Sequence, residues 1–225
     1  KPSALIKFLM TVCGVKENDL TLDFFAGSGS TAHAAIELEA ETGSRRPFIC
    51  VQLPERTTLE SEEYKAGFKT ISAITIERVK RVGEKFKEQR LASLDSGFRI
   101  FRLTSSNFKL WNTDSPKDDA ELAKQLTLHV DHLIDGRSQE DVLYELLLKS
   151  GFPLDTKIEK LTLENKAVFS IGDGLMLVCL EHDLTLEVLR AMADKKPERV
   201  VCLDAGFANN DQLKTNAVQT MKAKG

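Results

Sequence analysis

"LDFFAGSGST", Leu22 to Thr31, is an apolar run that breaks into glycines and small hydroxyl residues just before a helical pattern begins. Leu20 to Phe25 is predicted as a buried strand, and Ala32, Ala35, Ile36 and Leu38 mark a helix after the glycines. Upstream, Leu5, Phe8, Leu9 and Val12 recur at helical spacing, which predicts a helix over Leu5 to Val12. Downstream, Phe48 to Leu53 is predicted as a second strand, stopped by Pro54. Strand, glycine turn, helix and strand form a βαβ unit, whose strands should be parallel with a right-handed crossover.

A Gly-x-Gly at the end of a first parallel strand lets the backbone approach a ligand where any β-carbon would collide with it. The helix N-terminus beside it offers free N–H donors to a phosphate or carboxylate. Asp23, near the end of the strand, is placed to accept hydrogen bonds from an amine or hydroxyl. "GSGSTA", Gly27 to Ala32, also fits the relaxed Gly-x-Gly-x-x-Ala form of a dinucleotide turn. Against NAD stands Gln52, at the position near the end of the second strand where a ribose-binding acid is expected. A βαβ packing turn without a ligand is the third reading.

Composition limits the classes. A chain of 225 residues with 42% hydrophobic content can bury one good core, or a larger and a smaller one. No apolar run approaches the roughly 18 residues a spanning helix needs, so a cytoplasmic protein without membrane contact is expected. Cys13, Cys50, Cys179 and Cys202 are widely spaced with no Cys-x-x-Cys, and His33, His129, His132 and His182 show no ligand pattern; no metal is expected. The net charge of -3 does not support strong DNA binding by charge alone. Because the chain opens at Lys1-Pro2 and enters a helical pattern almost at once, it reads as a piece of a longer protein.

Further along, Thr70 to about Arg90 is predicted as a long amphipathic helix whose charges form a solvated face, and Phe98 to Leu103 as a half-exposed strand. "NTDSPKDD", Asn112 to Asp119, reads as a linker, which divides the chain into domains 1–111 and 120–225. Beyond it, helices are expected over Ala120 to Ile134 and Ser138 to Lys149, the second opened by Ser138 and Asp141. Strands near Ile158 to Leu163, Ala167 to Ile171 and Leu175 to Leu180 are joined by "ENK" and "GDG" turns as a meander. A helix from Thr185 to Ala193, a strand from Arg199 to Leu203 and a last helix from about Asn210 complete a small α/β module.

"KPSALIKFLM" followed by "DLTLDFFAGSGSTAHAAIELEAETGSRRPFICVQLPE" resembles the cofactor half of amino-methylating DNA methyltransferases that use S-adenosylmethionine (SAM). "SGFRIFRLTSSNFKLWN" and "VVCLDAGFANNDQLKTNAVQTMKAKG" are similar, more specifically, to the modification (Mod) subunits of type III restriction–modification systems. The resemblance implies an α/β fold: part of a Rossmann-like SAM-dependent methyltransferase sheet, followed by the small α/β module. It implies a SAM bed made of Asp23, Phe25, Ala26, Gly27, Ser28 and Gly29, with Ser30 and Thr31 at the helix start and Lys1 and Pro2 flanking the pocket. Asp23 would face the methionine amino end. At Gln52 the family more often has an acid for the ribose hydroxyls, and an amide loses the charge-assisted part of that contact; Glu55 reads as a solvated carboxylate.

The family transfers a methyl group to the exocyclic amine of an adenine flipped into a pocket closed by an Asp-Pro-Pro-Tyr type motif. This chain has six isolated prolines and no Pro-Pro pair, so no catalytic residue is assigned; the motif and the recognition domain are expected upstream. The implied parent is a DNA adenine methyltransferase, a Mod homodimer working with a restriction (Res) subunit, and the module beyond Asp119 is a candidate for partner contacts. An NAD-linked oxidoreductase and a non-catalytic interaction module are the alternatives. In "SSNFKLW", Ser105, Ser106, Asn107, Phe108 and Trp111 have two readings, an ordered loop packed by Phe108 and Trp111, which is preferred, and a base-binding surface.

Overall fold

The computed structural model describes residues 2–88, 97–109 and 133–224. The chain forms two compact units, Lys1–Arg102 and Leu103–Gly225. The expected linker at 112–119, Trp111 and most of the helix expected over 120–134 lie outside the described residues. Ser106, Asn107 and Phe108 pack within the second unit.

In the first unit, α1 (Ser3–Val12), β1 (Thr21–Asp23), α2 (Ser30–Thr42) and β2 (Phe48–Cys50) follow the expected order. β1 and β2 pair in parallel, with Leu22 opposite Ile49 and Asp23 opposite Cys50. Both strands are shorter than predicted. The Phe25 N–H bonds back to the Asp23 carboxylate at 3.1 Å, which bends the chain before Phe24 and Phe25 can extend the strand. A short α3 (Glu62–Lys65) and a long α4 (Ile71–Glu88) complete the unit.

The alanines of α2 let it sit deep. Ala34 and Ala35 pack with Met10 and Ile6 of α1, while Ala32 and Ile36 pack with Val79 and Val82 of α4. Phe48 joins both clusters from the sheet. The other sheet face is open, leaving Leu22, Ile49 and Val51 exposed. Among the described residues Phe98 to Leu103 carries no strand assignment, and Ile100, Phe101 and Leu103 are exposed.

In the second unit, β3 (Ile158–Leu163), β4 (Lys166–Ile171) and β5 (Met176–Cys179) form an antiparallel meander, and β6 (Arg199–Cys202) adds parallel to β5. β4 and β5 are buried on both faces, which explains their nearly continuous apolar sequences. Phe169, Ile171, Met176 and Val178 share a cluster with Val142, Leu143 and Leu147 of α5 (Gln139–Lys149). Val168, Leu177 and Cys179 share another with Val188 and Met192 of α6 (Leu186–Ala193) and Met221 of α7 (Asp211–Lys224). α5 starts in the expected capping box: the Asp141 N–H donates to Ser138 Oγ while the Ser138 N–H donates to the Asp141 carboxylate.

Candidate functional site

The turn between β1 and α2 is built from backbone that glycine makes possible. Gly27 has φ +56° and Gly29 φ +80°, both in the left-handed region. A β-carbon on Gly29 would stand 3.1 Å from Thr75 Cγ2, so this residue is fixed by close packing. At Gly27 the nearest atom would be the Phe25 carbonyl at 3.8 Å, and the backbone there is open to an incoming molecule. Phe25 itself is 83% exposed. α2 has neither a side-chain cap hydrogen bond nor an acid in its first turn.

Each end of the turn is tied to a neighbour. The Ala26 N–H donates to the Val51 carbonyl, and the Val51 N–H to the Asp23 carbonyl, which extends the β1–β2 contact to the turn. The Gly27 N–H donates to Gln52 Oε1 at 2.7 Å, and Gln52 Nε2 donates to the Leu53 carbonyl. The Gln52 amide is therefore turned onto the backbone that it braces. Asp23 accepts from the Phe25 N–H with one carboxylate oxygen and from Thr31 Oγ1, at 2.5 Å, with the other. Burial, with the Asp23 charge as a second cause, pushes the nearby Cys50 thiol up to about 11.

The sequence-predicted residues Asp23, Phe25, Ala26, Gly27, Ser28, Gly29, Ser30, Thr31 and Gln52 are thus contiguous around one turn. Pro2 lines a cleft of about 540 Å³ together with Ser3, His33, Phe68, Arg78 and Lys85, among others. Lys1 lies outside the described residues, and Glu55 is exposed as expected.

Two residues of α4 were not anticipated as part of this arrangement. Thr75 Oγ1 donates to the Gly27 carbonyl, and Arg78 Nη1 donates to Ser30 Oγ at 2.9 Å. α4 therefore presents more than a solvated charged face. Its 3.6-residue apolar period places the helix against α2, but nothing in the period marks which polar residues meet the turn.

The strand, glycine turn and helix, with an acid at the strand end, lie in a segment of recognisable class: residues 1–88 match the DNA methylase family. More particularly, it is 30% identical over 205 residues to the type III restriction-modification enzyme EcoP15I Mod subunit of Escherichia coli, covering 88% of this chain and 29% of that protein. It is 28% identical over 228 residues to the EcoPI Mod subunit of Escherichia phage P1, covering 96% of this chain and 33% of that protein. Against the StyLTI Mod subunit of Salmonella typhimurium strain LT2, identity is 37% over 106 residues, or 47% of this chain and 16% of that protein. The chain spans about a third of the length of the first two relatives. Among the described residues, no helix is long and apolar enough to cross a membrane, and no three metal-ligating side chains converge.

Proposed function

We propose that this chain is the cofactor-holding part of a cytoplasmic, site-specific DNA adenine methyltransferase, a Mod subunit of a type III restriction–modification system. SAM is the methyl donor in this reading, and the complete protein works as a Mod homodimer with a Res subunit on DNA. The observation that carries the reading is the open Gly27 backbone beside the Asp23 carboxylate, within a DNA methylase domain.

The donor would supply an activated methyl group on its sulfonium. The residues here bind and orient it. Asp23 accepts from the amino end, the Gly27–Gly29 backbone lets the ligand approach closely, and Ser30 and Thr31 open α2 next to it. Phe25, Ala26 and Ser28 complete the bed, with Lys1 and Pro2 at its flank. Gln52 acts through the turn that it braces, and its remaining amide donor capacity serves the ribose side. Base capture and the proton of the target amine fall to the catalytic motif, which this chain does not contain. In this reading residues 1–111 hold the cofactor, 112–119 link, and 120–225 form a tail that contacts partners.

Calorimetric titration with SAM and, separately, NADH tests the reading. Saturable SAM binding that is lost in Asp23→Ala and Gly27→Val is expected. NADH binding without SAM binding would replace it with the oxidoreductase reading, and binding of neither, with partner affinity retained, would favour an interaction module.

A further inference from the structure

SAM carries two opposite charges at its amino-acid end, an ammonium and a carboxylate, and Asp23 accounts for only the first. Two charged side chains reach the first turn of α2 through consecutive residues. The Asp23 carboxylate accepts from Thr31 Oγ1 at 2.5 Å, and the Arg78 guanidinium donates to Ser30 Oγ at 2.9 Å. Ser30 is buried, so the hydroxyl that fixes Arg78 is itself held in place.

Arg78 is half-buried, and among the described residues no carboxylate lies within ion-pair distance of it. Its neighbour one turn on, Arg81, holds Glu77 at 2.6 Å. A partly desolvated guanidinium without a counter-charge is costly unless an anion joins it. Burial holds the nearby His33 imidazole below its usual value; Glu37 opposes this, and the charges of Arg78 and Lys85 add to it. Arg78 also lines the cleft that reaches Pro2 and Ser3.

We propose that Arg78 binds the carboxylate of the methyl donor, so that Asp23 and Arg78 together hold the two charges of its amino-acid end across Ser30 and Thr31. This rests on the SAM reading of the turn. A planar guanidinium with one N–H already spent on Ser30 keeps further donors in fixed geometry for a carboxylate.

The test compares three ligands on the full chain: SAM, S-adenosylhomocysteine, and 5′-methylthioadenosine, which lacks the amino-acid end. In Arg78→Met, affinity for the first two should fall roughly tenfold or more, the size of a lost charge-assisted hydrogen bond, and affinity for methylthioadenosine should stay unchanged. Arg78→Lys should recover part of the loss. Equal weakening of all three ligands, or unchanged S-adenosylhomocysteine binding, would overturn the assignment while leaving the cofactor reading in place. Failure of the unaltered chain to bind SAM would overturn both.

Discussion

Thr75 Oγ1 donates to the main-chain carbonyl of Gly27 at 2.5 Å, across 48 residues of sequence. The same hydroxyl also reaches the Ile71 carbonyl one helical turn back. The shape of the glycine turn is thus set from outside the βαβ unit, by a buried residue of α4 that holds the carbonyl between the two left-handed glycines.

Thr75→Val keeps the volume and removes the hydroxyl. The Gly27 carbonyl loses its donor in a half-buried place, which should cost about 1–2 kcal/mol. Urea unfolding of the first unit should show this loss, and SAM affinity should fall with it. Unchanged stability would mean that water replaces the hydroxyl at no cost.

The two glycines should respond differently to alanine. Each substitution meets a left-handed backbone, worth about 1–2 kcal/mol. Gly29→Ala adds a β-carbon 3.1 Å from Thr75 Cγ2 and 3.3 Å from the Thr75 carbonyl, so α4 must shift and the total should reach about 2–4 kcal/mol. Gly27→Ala projects into open space, so its effect should fall more on ligand affinity than on thermal midpoint. Equal effects on both quantities would contradict the division of labour between these glycines.

Glu145 fastens the segment 106–108 to α5. Its carboxylate accepts from Ser106 Oγ at 2.5 Å and from the Asn107 N–H at 2.6 Å, and pairs with Lys149 at 2.8 Å. Burial alone would push this carboxyl up; the bonds from Lys149, Ser106 and Asn107 outweigh it and bring it down from 4.5 to about 2. A folded value below the unfolded one means that the stabilisation is complete above about pH 4.5 and is lost as pH falls towards 2. Glu145→Gln should cost about 2 kcal/mol at neutral pH, and the gap to the unaltered chain should narrow with acidification. A gap independent of pH would refute the ionic part of this clamp.

The four thiols should separate by reactivity. Cys13 is exposed. Burial pushes the Cys202 thiol up to about 12, with Cys179 as a further cause, and holds Cys179 above its usual range, while Cys50 stands at about 11. Maleimide at neutral pH should label Cys13 in the folded chain and all four in urea, because the thiolate is the reacting form. Rapid native labelling of Cys50 would show that β2 opens readily.

Local patterns made the helices and the meander legible. The Ser138–Asp141 box, the Thr185 cap and the apolar runs of β4 and β5 each state their structure within a few residues. The glycine turn and Asp23 were legible for the same reason. Thr75 and Arg78 were not, since their partners Gly27 and Ser30 lie 48 residues away and the hydropathy period is indifferent to which polar residue meets them. The position of Gln52 just after β2 was legible, but its orientation onto the Gly27 N–H depends on how closely the turn returns to β2. The clamp between Asn107 and Glu145 likewise joins residues distant in sequence.

The open face of the two-stranded sheet has a thermodynamic signature. Leu22, Phe24, Phe25, Ile49, Val51 and Leu53 are already hydrated when the first unit is folded. Unfolding that unit therefore wets less new apolar surface, and its heat-capacity increment should fall below the usual value of about 12–15 cal/mol/K per residue. The second unit, with β4 and β5 enclosed on both faces, has no such deficit. Stability of the first unit should then vary gently with temperature, in a broad and shallow curve, while that of the second follows a steeper dome and weakens more sharply in the cold.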